Sequence, residues 1–494
     1  MKKDKIIVSN RKALESKYGA KLPSILQDLE DLKAADKERG LDSVIVFLDD
    51  TRAMKSYKVT AVKNAEDARQ NKRAIDGLYK HFQPDYILIA GAQDVIPFQP
   101  LKNLIHSPDD EDAIVPSDLP YASDKAWSED PSKFVSPTRV VGRLPDLPGG
   151  KDPKYFRSLV RDAIASKPGN QKDYLNYLGI SVYDWRLSTQ QSLQNIFGNA
   201  DQLHLSPTKG PRWTPTQLKA KTHFINCHGA LEDGNYYGQK GGNYPISHTS
   251  GWLEKKIAKG TIVAAECCYG AQLYNPTITD SGYPSLASQY LLQHAIAVAG
   301  STTIAYGPTE GQGLADLITQ YFLINVLRGA STGRAFLEAR QRFLDEMGPT
   351  LDPYEIKTLS QFYLLGDPSL VPVNVPTKMR DVRENRRDST QAKGEMLGQF
   401  LATPKQVSGT TEPANLKALV KAHKFPGKLT KKVFITEGGT PPLTRGLHAK
   451  GVGGQVKFHV YSASKFHGKF KETNVLVVKE RAGQILGERT YVRR

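Results

Sequence analysis

The stretch KIIVSNRKALESKYGAKLPSILQDLEDLKAADKERGLDSVIVFL, residues 5–48, decides the fold class. It opens on a short apolar run, Lys5 to Val8, and closes on another, Ser43 to Leu48. Between them Leu22, Ile25, Leu26, Leu29 and Leu32 recur at three- and four-residue spacing, as on one face of a helix. Pro23 near the start of that helix and Gly40 just past its end fit the positions those residues favour. Strand, helix, strand in this order predicts an α/β chain with a doubly wound sheet and helices on both faces.

Further candidate strands run from Tyr86 to Ala90, Tyr177 to Tyr183, His223 to Cys227, Thr261 to Ala265 and Ala295 to Gly300. Several are apolar at consecutive positions, as expected of strands covered on both sides in a parallel sheet. With 494 residues, 39% of them hydrophobic, the chain is long enough for one large α/β unit or for two or three ordinary ones. No run approaches the roughly 18 apolar residues of a membrane helix, and the basic start carries only Ile6-Ile7-Val8 as an apolar segment. A cytoplasmic protein with no membrane partner is expected. Three cysteines are too few for a disulfide framework, in keeping with a reducing compartment.

Charge is unevenly placed. The formal net charge is +16, yet residues 376–494 hold 24 Lys and Arg against 9 Asp and Glu, while the first 375 residues are nearly neutral. Such a block attracts acidic partners, nucleic acid included, or serves as a solvated basic surface. The expected organisation is an α/β subdomain over 1–147, a second over 148–375, a polar linker over 376–395 and a small, basic, β-rich accessory domain over 396–494. A short helix near Leu416 to Ala422 and β-like runs at Val433 to Thr436, Val456 to Tyr461, Asn474 to Val478 and Gln484 to Leu486 mark that last unit.

Ligands of doubly wound sheets bind beyond the carboxyl ends of the strands, so polar residues that follow a buried run are the candidates. Asp184, His228 and Cys267 each stand in such a place. An imidazole at one strand end can draw the proton from a thiol at another, and Gly229 after the histidine leaves its N–H open to an incoming carbonyl. Together with the Cys267 N–H this makes an oxyanion hole, and acyl transfer is the chemistry the set suits. Singly, a His-Gly turn or a buried cysteine is ordinary structure; the pair in order is what carries the reading. Cys227, His228, Cys267 and Cys268 would also suffice in number for a zinc site, but adjacent residues of a strand point to opposite faces and the usual two-residue spacer is missing. No metal or cofactor is expected.

These blocks resemble the caspase-like cysteine peptidases, and their surroundings resemble the gingipains in particular. The similar segments are Tyr86 through Pro97, Ser117-Asp118-Leu119-Pro120-Tyr121, Val141-Gly142-Arg143-Leu144, Cys267-Cys268-Tyr269-Gly270 and Leu365-Gly366-Asp367-Pro368-Ser369-Leu370. They run in order across residues 5 to 373. The resemblance implies a caspase-like, mostly parallel sheet in two subdomains and a cysteine endopeptidase acting on protein or peptide. Its spacing, glycine three residues after the nucleophile, selects Cys267 and leaves Cys268 packed; a caspase-type spacing would select Cys268. It also implies that Asp184 steadies His228. Two departures stand out: no acid lies between Asp184 and Asp201, where a pocket for a basic side chain would draw one, and Glu266 replaces a small residue. Arg186 would then suit an acidic side chain, and Glu266 joins it as a pocket candidate. The rival reading is a silent peptidase-like scaffold whose basic residues 376–494 bind nucleic acid or an acidic partner.

Overall fold

The structure, a computed structural model, describes residues 2–279, 282–375, 383–408, 412–436 and 455–494. Ten strands make the central sheet: β1 (Lys5–Ser9), β2 (Ser43–Phe47), β3 (Tyr86–Ala90), β4 (Val140–Leu144), β5 (Tyr177–Val182), β6 (Leu203–Ser206), β7 (Thr222–Asn226), β8 (Ile262–Ala265), β9 (Ala297–Ser301) and β10 (Phe362–Gly366). Their order is β2-β1-β3-β4-β10-β9-β8-β7-β5-β6. Every pairing is parallel except β9 with β10, so the strands on the two sides of that junction run in opposite directions. The carboxyl ends of β5, β7 and β8 therefore share one edge. β1, β3, β5, β7 and β8 are nearly or wholly buried, which is why they read as unbroken apolar runs. Each buried Val, Leu or Ile side chain contributes about 1.5–3 kcal/mol of burial.

Helices cover both faces. α1 (Leu22–Glu38) buries Leu22, Ile25, Leu29 and Leu32 and starts on its proline. α2 (Arg186–Phe197) follows β5, while α3 (Ala315–Leu327) and α4 (Thr332–Met347) pack on each other, α3 against β8 and β9 and α4 against β4 and β10. Charge inside this core is paired. The Lys5 ammonium sits between Asp36 at 2.9 Å and Asp367 at 2.5 Å, and Arg143 in the middle of β4 meets both oxygens of Asp118 at 2.9 and 2.6 Å. A buried guanidinium is tolerated on a strand only with such a fork.

Of the expected polar linker, residues 376–382 lie outside the described residues, and the rest falls within a helix, α5 (Arg383–Phe400). Its Leu397 is buried, and α4 holds it through Gln341, whose amide donates to the Thr390 carbonyl at 2.7 Å. A thin apolar stripe and side-chain bonds to α4 outweigh the polar composition.

Beyond α5 lies a separate antiparallel sheet of β11 (Pro404–Val407), β12 (Thr430–Thr436), β13 (Val456–His467), β14 (Phe470–Arg481) and β15 (Gln484–Arg493). The strands are longer than their apolar runs, because β13, β14 and β15 alternate polar residues with buried ones. Its sixth member is the two-residue strand Tyr306–Gly307, which comes from the loop after β9 and pairs with β15.

Candidate active site

β7 runs directly into His228-Gly229, and β8 into Glu266-Cys267-Cys268. The two strands pair in parallel with Ile225 beside Ala265, and the Glu266 N–H donates to the Ile225 carbonyl at 2.8 Å. Continued by one residue at a time, this register sets Asn226 beside Glu266, Cys227 beside Cys267 and His228 beside Cys268. Side chains of paired residues in a parallel sheet share a face, and successive residues alternate. The neighbours agree. Asn226 bonds Thr189 of α2 and Glu266 bonds Thr319 of α3, two helices in contact on one face. On the other face the Cys267 sulfur lies toward the Ile225 carbonyl, Cys227, Tyr236 and Tyr290.

Continued in this way, the register leaves Cys267 packed on the face away from His228 and puts Cys268 on the same face as it. Cys268 accepts the Ala305 N–H at 3.3 Å and feels the charge of Arg493. Both thiols are fully buried, and burial pushes both upward, Cys267 well above the ordinary cysteine range.

The imidazole of His228 is 6% exposed. Its Nε2 lies 2.7 Å from Gln239 Oε1, and the Gln239 amide nitrogen is committed to the Gly241 carbonyl and the Tyr244 hydroxyl at 3.2 and 3.0 Å. The Gln239 oxygen therefore receives an Nε2–H, which leaves Nδ1 with its lone pair. The rings of Trp185 and Tyr244 stand 4.4 and 5.1 Å away. Burial pushes His228 down to about 3; the bonds to Gln239 and to the Arg494 backbone oppose this, and the charges of Arg493 and Arg494 add to it. The imidazole is neutral.

Asp184 does not reach it. Its carboxylate accepts the Gly241 N–H at 2.9 Å, so it fixes the turn that carries Gln239 and acts at one remove. The expected acid is replaced by an amide, and the side chain that β5 sends to the histidine is Trp185. Arg186 is also elsewhere: it donates to the Tyr183 carbonyl at 3.2 Å and lies over the Tyr183 ring. Gly229 has a steric reason to be glycine, since a Cβ there would lie 1.7 Å from the Cys268 carbonyl and 3.4 Å from the Cys267 Cβ. The strand ends can approach this closely only without it.

A cavity of about 320 Å³ opens beside His228 and Gly229, bounded also by Asp112, Tyr269, Arg493 and Arg494. Across it lies the end of β15. Arg493 pairs with Tyr306, and the Arg494 N–H donates to the Ala305 carbonyl at 2.9 Å. The Arg494 side chain is fully buried. Its Nη2 donates to the Pro308 carbonyl at 2.8 Å and to Asp316 at 3.0 Å, and its guanidinium covers the Trp185 ring at 4.5 Å. Glu266 lies nearby: burial and the neighbouring Asp316 push it well above the usual carboxylate range, burial pushes Asp316 up as well, and the Arg494 guanidinium opposes both shifts. Gln239, Asp316 and the 491–494 segment were not foreseen, because a loop amide, a mid-helix acid and a terminal strand carry no signature of a site.

An α/β sheet with a histidine and a cysteine pair at adjacent strand ends defines a caspase-like cysteine peptidase. The sequence model of peptidase family C25 matches residues 2–373, and the chain belongs to that family. No curated protein matches it. Among solved structures, one described as "Structure of Protease" is 12% identical, with TM-score 0.48, covering 98% of this chain and 96% of that one. The separase–securin complex of Saccharomyces cerevisiae is 14% identical, with TM-score 0.29, covering 48% of this chain and 14% of that chain.

Proposed function

We propose that this cysteine peptidase is an endopeptidase in which Cys268 and His228 form the reacting pair. The observation that supports this reading is the register of β7 and β8, which, continued past Ile225 and Ala265, puts residue 268 on the same side of the sheet as His228, itself a lining residue of the cavity. His228 Nδ1 takes the thiol proton, the thiolate attacks a peptide carbonyl, and the Gly229 and Cys268 N–H groups receive the oxyanion. The imidazolium then protonates the departing amine, and water, activated by the same ring, releases the acid from the thioester. Gln239 and, behind it, Asp184 are positioning residues that hold the Nε2–H tautomer.

Cleavage of an unfolded protein by wild type, Cys268→Ala and Cys267→Ala tests the assignment. Cys268→Ala is expected to lose activity on the order of 10⁶-fold, as removal of a nucleophile does, and Cys267→Ala to keep most of the wild-type activity. The reverse result restores Cys267, the choice that the family spacing implies; equal cleavage by all three removes both thiols from the mechanism.

We place this activity in the cytoplasm, a setting that suits three unpaired thiols, and there it needs restraint. A second reading gives residues 376–494 a nucleic acid or an acidic protein as partner, on the strength of their net charge of +15. Several of those cations meet acids of the catalytic part: Lys471 and Arg493 face Glu111 at 2.5 and 3.3 Å, and Arg489 pairs with Glu355. Binding to the full chain that weakens steeply with salt would support this partner.

A further inference from the structure

Four acids in a row, Asp109-Asp110-Glu111-Asp112, cross the junction between the accessory sheet and the catalytic part, and they serve the two sides alternately. Asp109 and Glu111 hold the accessory sheet: Asp109 accepts from Ser462 and Ser464 at 2.7 Å each, and Glu111 meets Lys471 and Arg493 at 2.5 and 3.3 Å. Asp110 and Asp112 hold the catalytic part. Asp110 pairs with Lys357 of the helix Pro353–Gln361, and Asp112 meets the same ammonium at 3.2 Å. All four carboxylates are engaged, so the row joins the two units.

Asp112 does more than anchor its loop. Its Oδ1 accepts from the Tyr269 hydroxyl and its Oδ2 from the Ile304 N–H, both at 2.8 Å. Tyr269 directly follows Cys268 and stands at φ 52°, a left-handed backbone that a bulky side chain rarely adopts and keeps only where its surroundings impose it. What imposes it lies on either side of Ile304: the Thr303 carbonyl takes the Tyr269 N–H at 2.9 Å, and the Ala305 N–H reaches the Cys268 sulfur at 3.3 Å. One carboxylate therefore ties the turn after the thiol to the segment that holds both the turn and the thiol. The same segment goes on, at Tyr306 and Gly307, to pair with β15. Glu111, Asp112 and Tyr269 all bound the cavity beside His228, so the tie runs along its wall.

We propose that Asp112 is a positioning residue for Cys268: it holds Tyr269 in the left-handed turn that aims the thiol and its N–H, and through residues 109–112 this hold depends on the docked accessory sheet. The catalytic consequence rests on the endopeptidase reading, but the turn itself can be tested without cleavage. Glycine takes a positive φ with no Cβ to oppose it, so a glycine at position 269 would need no such hold.

The test uses the full chain and compares Asp112→Ala in two backgrounds, native and Tyr269→Gly. In the native background the substitution is expected to lower kcat about tenfold or more with little change in KM, and to quicken hydrogen exchange over residues 266–272 by a similar factor. In the Tyr269→Gly background the same substitution should change kcat and exchange by no more than about twofold. A merely structural bond to Ile304 and Lys357 would cost the same in both. Ser462→Ala combined with Ser464→Ala, which releases Asp109 from the accessory sheet, should quicken exchange over 266–272 in the native background alone. Should Asp112→Ala fail to fold, Tyr269→Phe removes the same bond from its other end, keeps the ring and is expected to lower kcat and quicken exchange alike. Unmoved kcat and exchange in the variant used, an equal effect of Asp112→Ala in the two backgrounds, or a serine pair that leaves 266–272 unchanged overturns the proposal. Exchange that follows the expected pattern in proteins that cleave nothing, wild type included, retires the endopeptidase and leaves the turn. Cleavage by wild type, with kcat and exchange indifferent to Asp112, retires the turn and leaves the endopeptidase.

Discussion

An imidazole steadied by an amide gains orientation but little charge stabilisation, and that is the situation of His228 beside Gln239. Replacing Gln239 with glutamate would place an anion at the same Nε2–H and raise the histidine's proton affinity. The imidazole must be neutral to accept the thiol proton, so the acid limb of the kcat/KM profile is expected to move to higher pH by about one unit or more. Gln239→Ala should instead lower kcat at all pH values, through loss of the tautomer. A pH–rate series on the two variants distinguishes them. Of these residues the sequence shows His228, Gly229 and the cysteine pair, because chemistry restricts which residue types can stand at strand ends. It also brings the reader to the end of β5, one residue short: Asp184 is the charged residue there, and Trp185 is the one that touches the ring. Which of two adjacent cysteines faces the groove depends on strand register, which is a property of two segments and cannot be read in either.

At the level of elements, β7 carries a second histidine, His223, whose Nδ1 meets the Tyr290 hydroxyl at 2.8 Å; His248 meets the same hydroxyl at 2.7 Å. Burial pushes these to about 4 and about 3. In the unfolded chain both take up protons below about pH 6.5, whereas the folded chain refuses them until about pH 4. The unfolded state thus binds more protons, and stability falls as pH drops through that window, by about 1.4 kcal/mol per pH unit for each histidine. Urea unfolding at pH 7.5, 5.5 and 4.5 should show this slope, and His223→Gln should reduce it by one histidine's share. Strands such as β7 are legible because two-sided burial leaves an unbroken apolar run. β6, Leu203–Ser206, is not: it is a short edge strand with half its residues polar. α5 is hidden for the same reason in helical form, since its polar composition masks one narrow contact face.

On the scale of the whole molecule, the basic sheet and the catalytic part are held together by opposite charge. Lys471 and Arg493 converge on Glu111, Arg489 on Glu355, and the hydroxyls of Ser462 and Ser464 both bond Asp109 at 2.7 Å. Glu111 is half exposed, and pairs of that kind are screened by salt. Hydrogen exchange in β15 is accordingly expected to quicken severalfold between low and high ionic strength, and Glu111→Ala to show at low salt much of that rise. Exchange that slows with added salt would contradict the charge pairing. The charge asymmetry of the chain is plain in its composition; that its acidic counterpart is the same molecule is not, because the meeting residues are separated by 134 positions for Arg489 and Glu355 and by more than 300 for the others.

β15 belongs at once to the accessory sheet and, through its pairing with Tyr306–Gly307, to the catalytic part. Two surfaces joined by one chain meet at an effective concentration on the order of millimolar, whatever the number of molecules in the cell. Dilution cannot part them, and any other anion that draws on the basic sheet must outcompete a neighbour that never diffuses away.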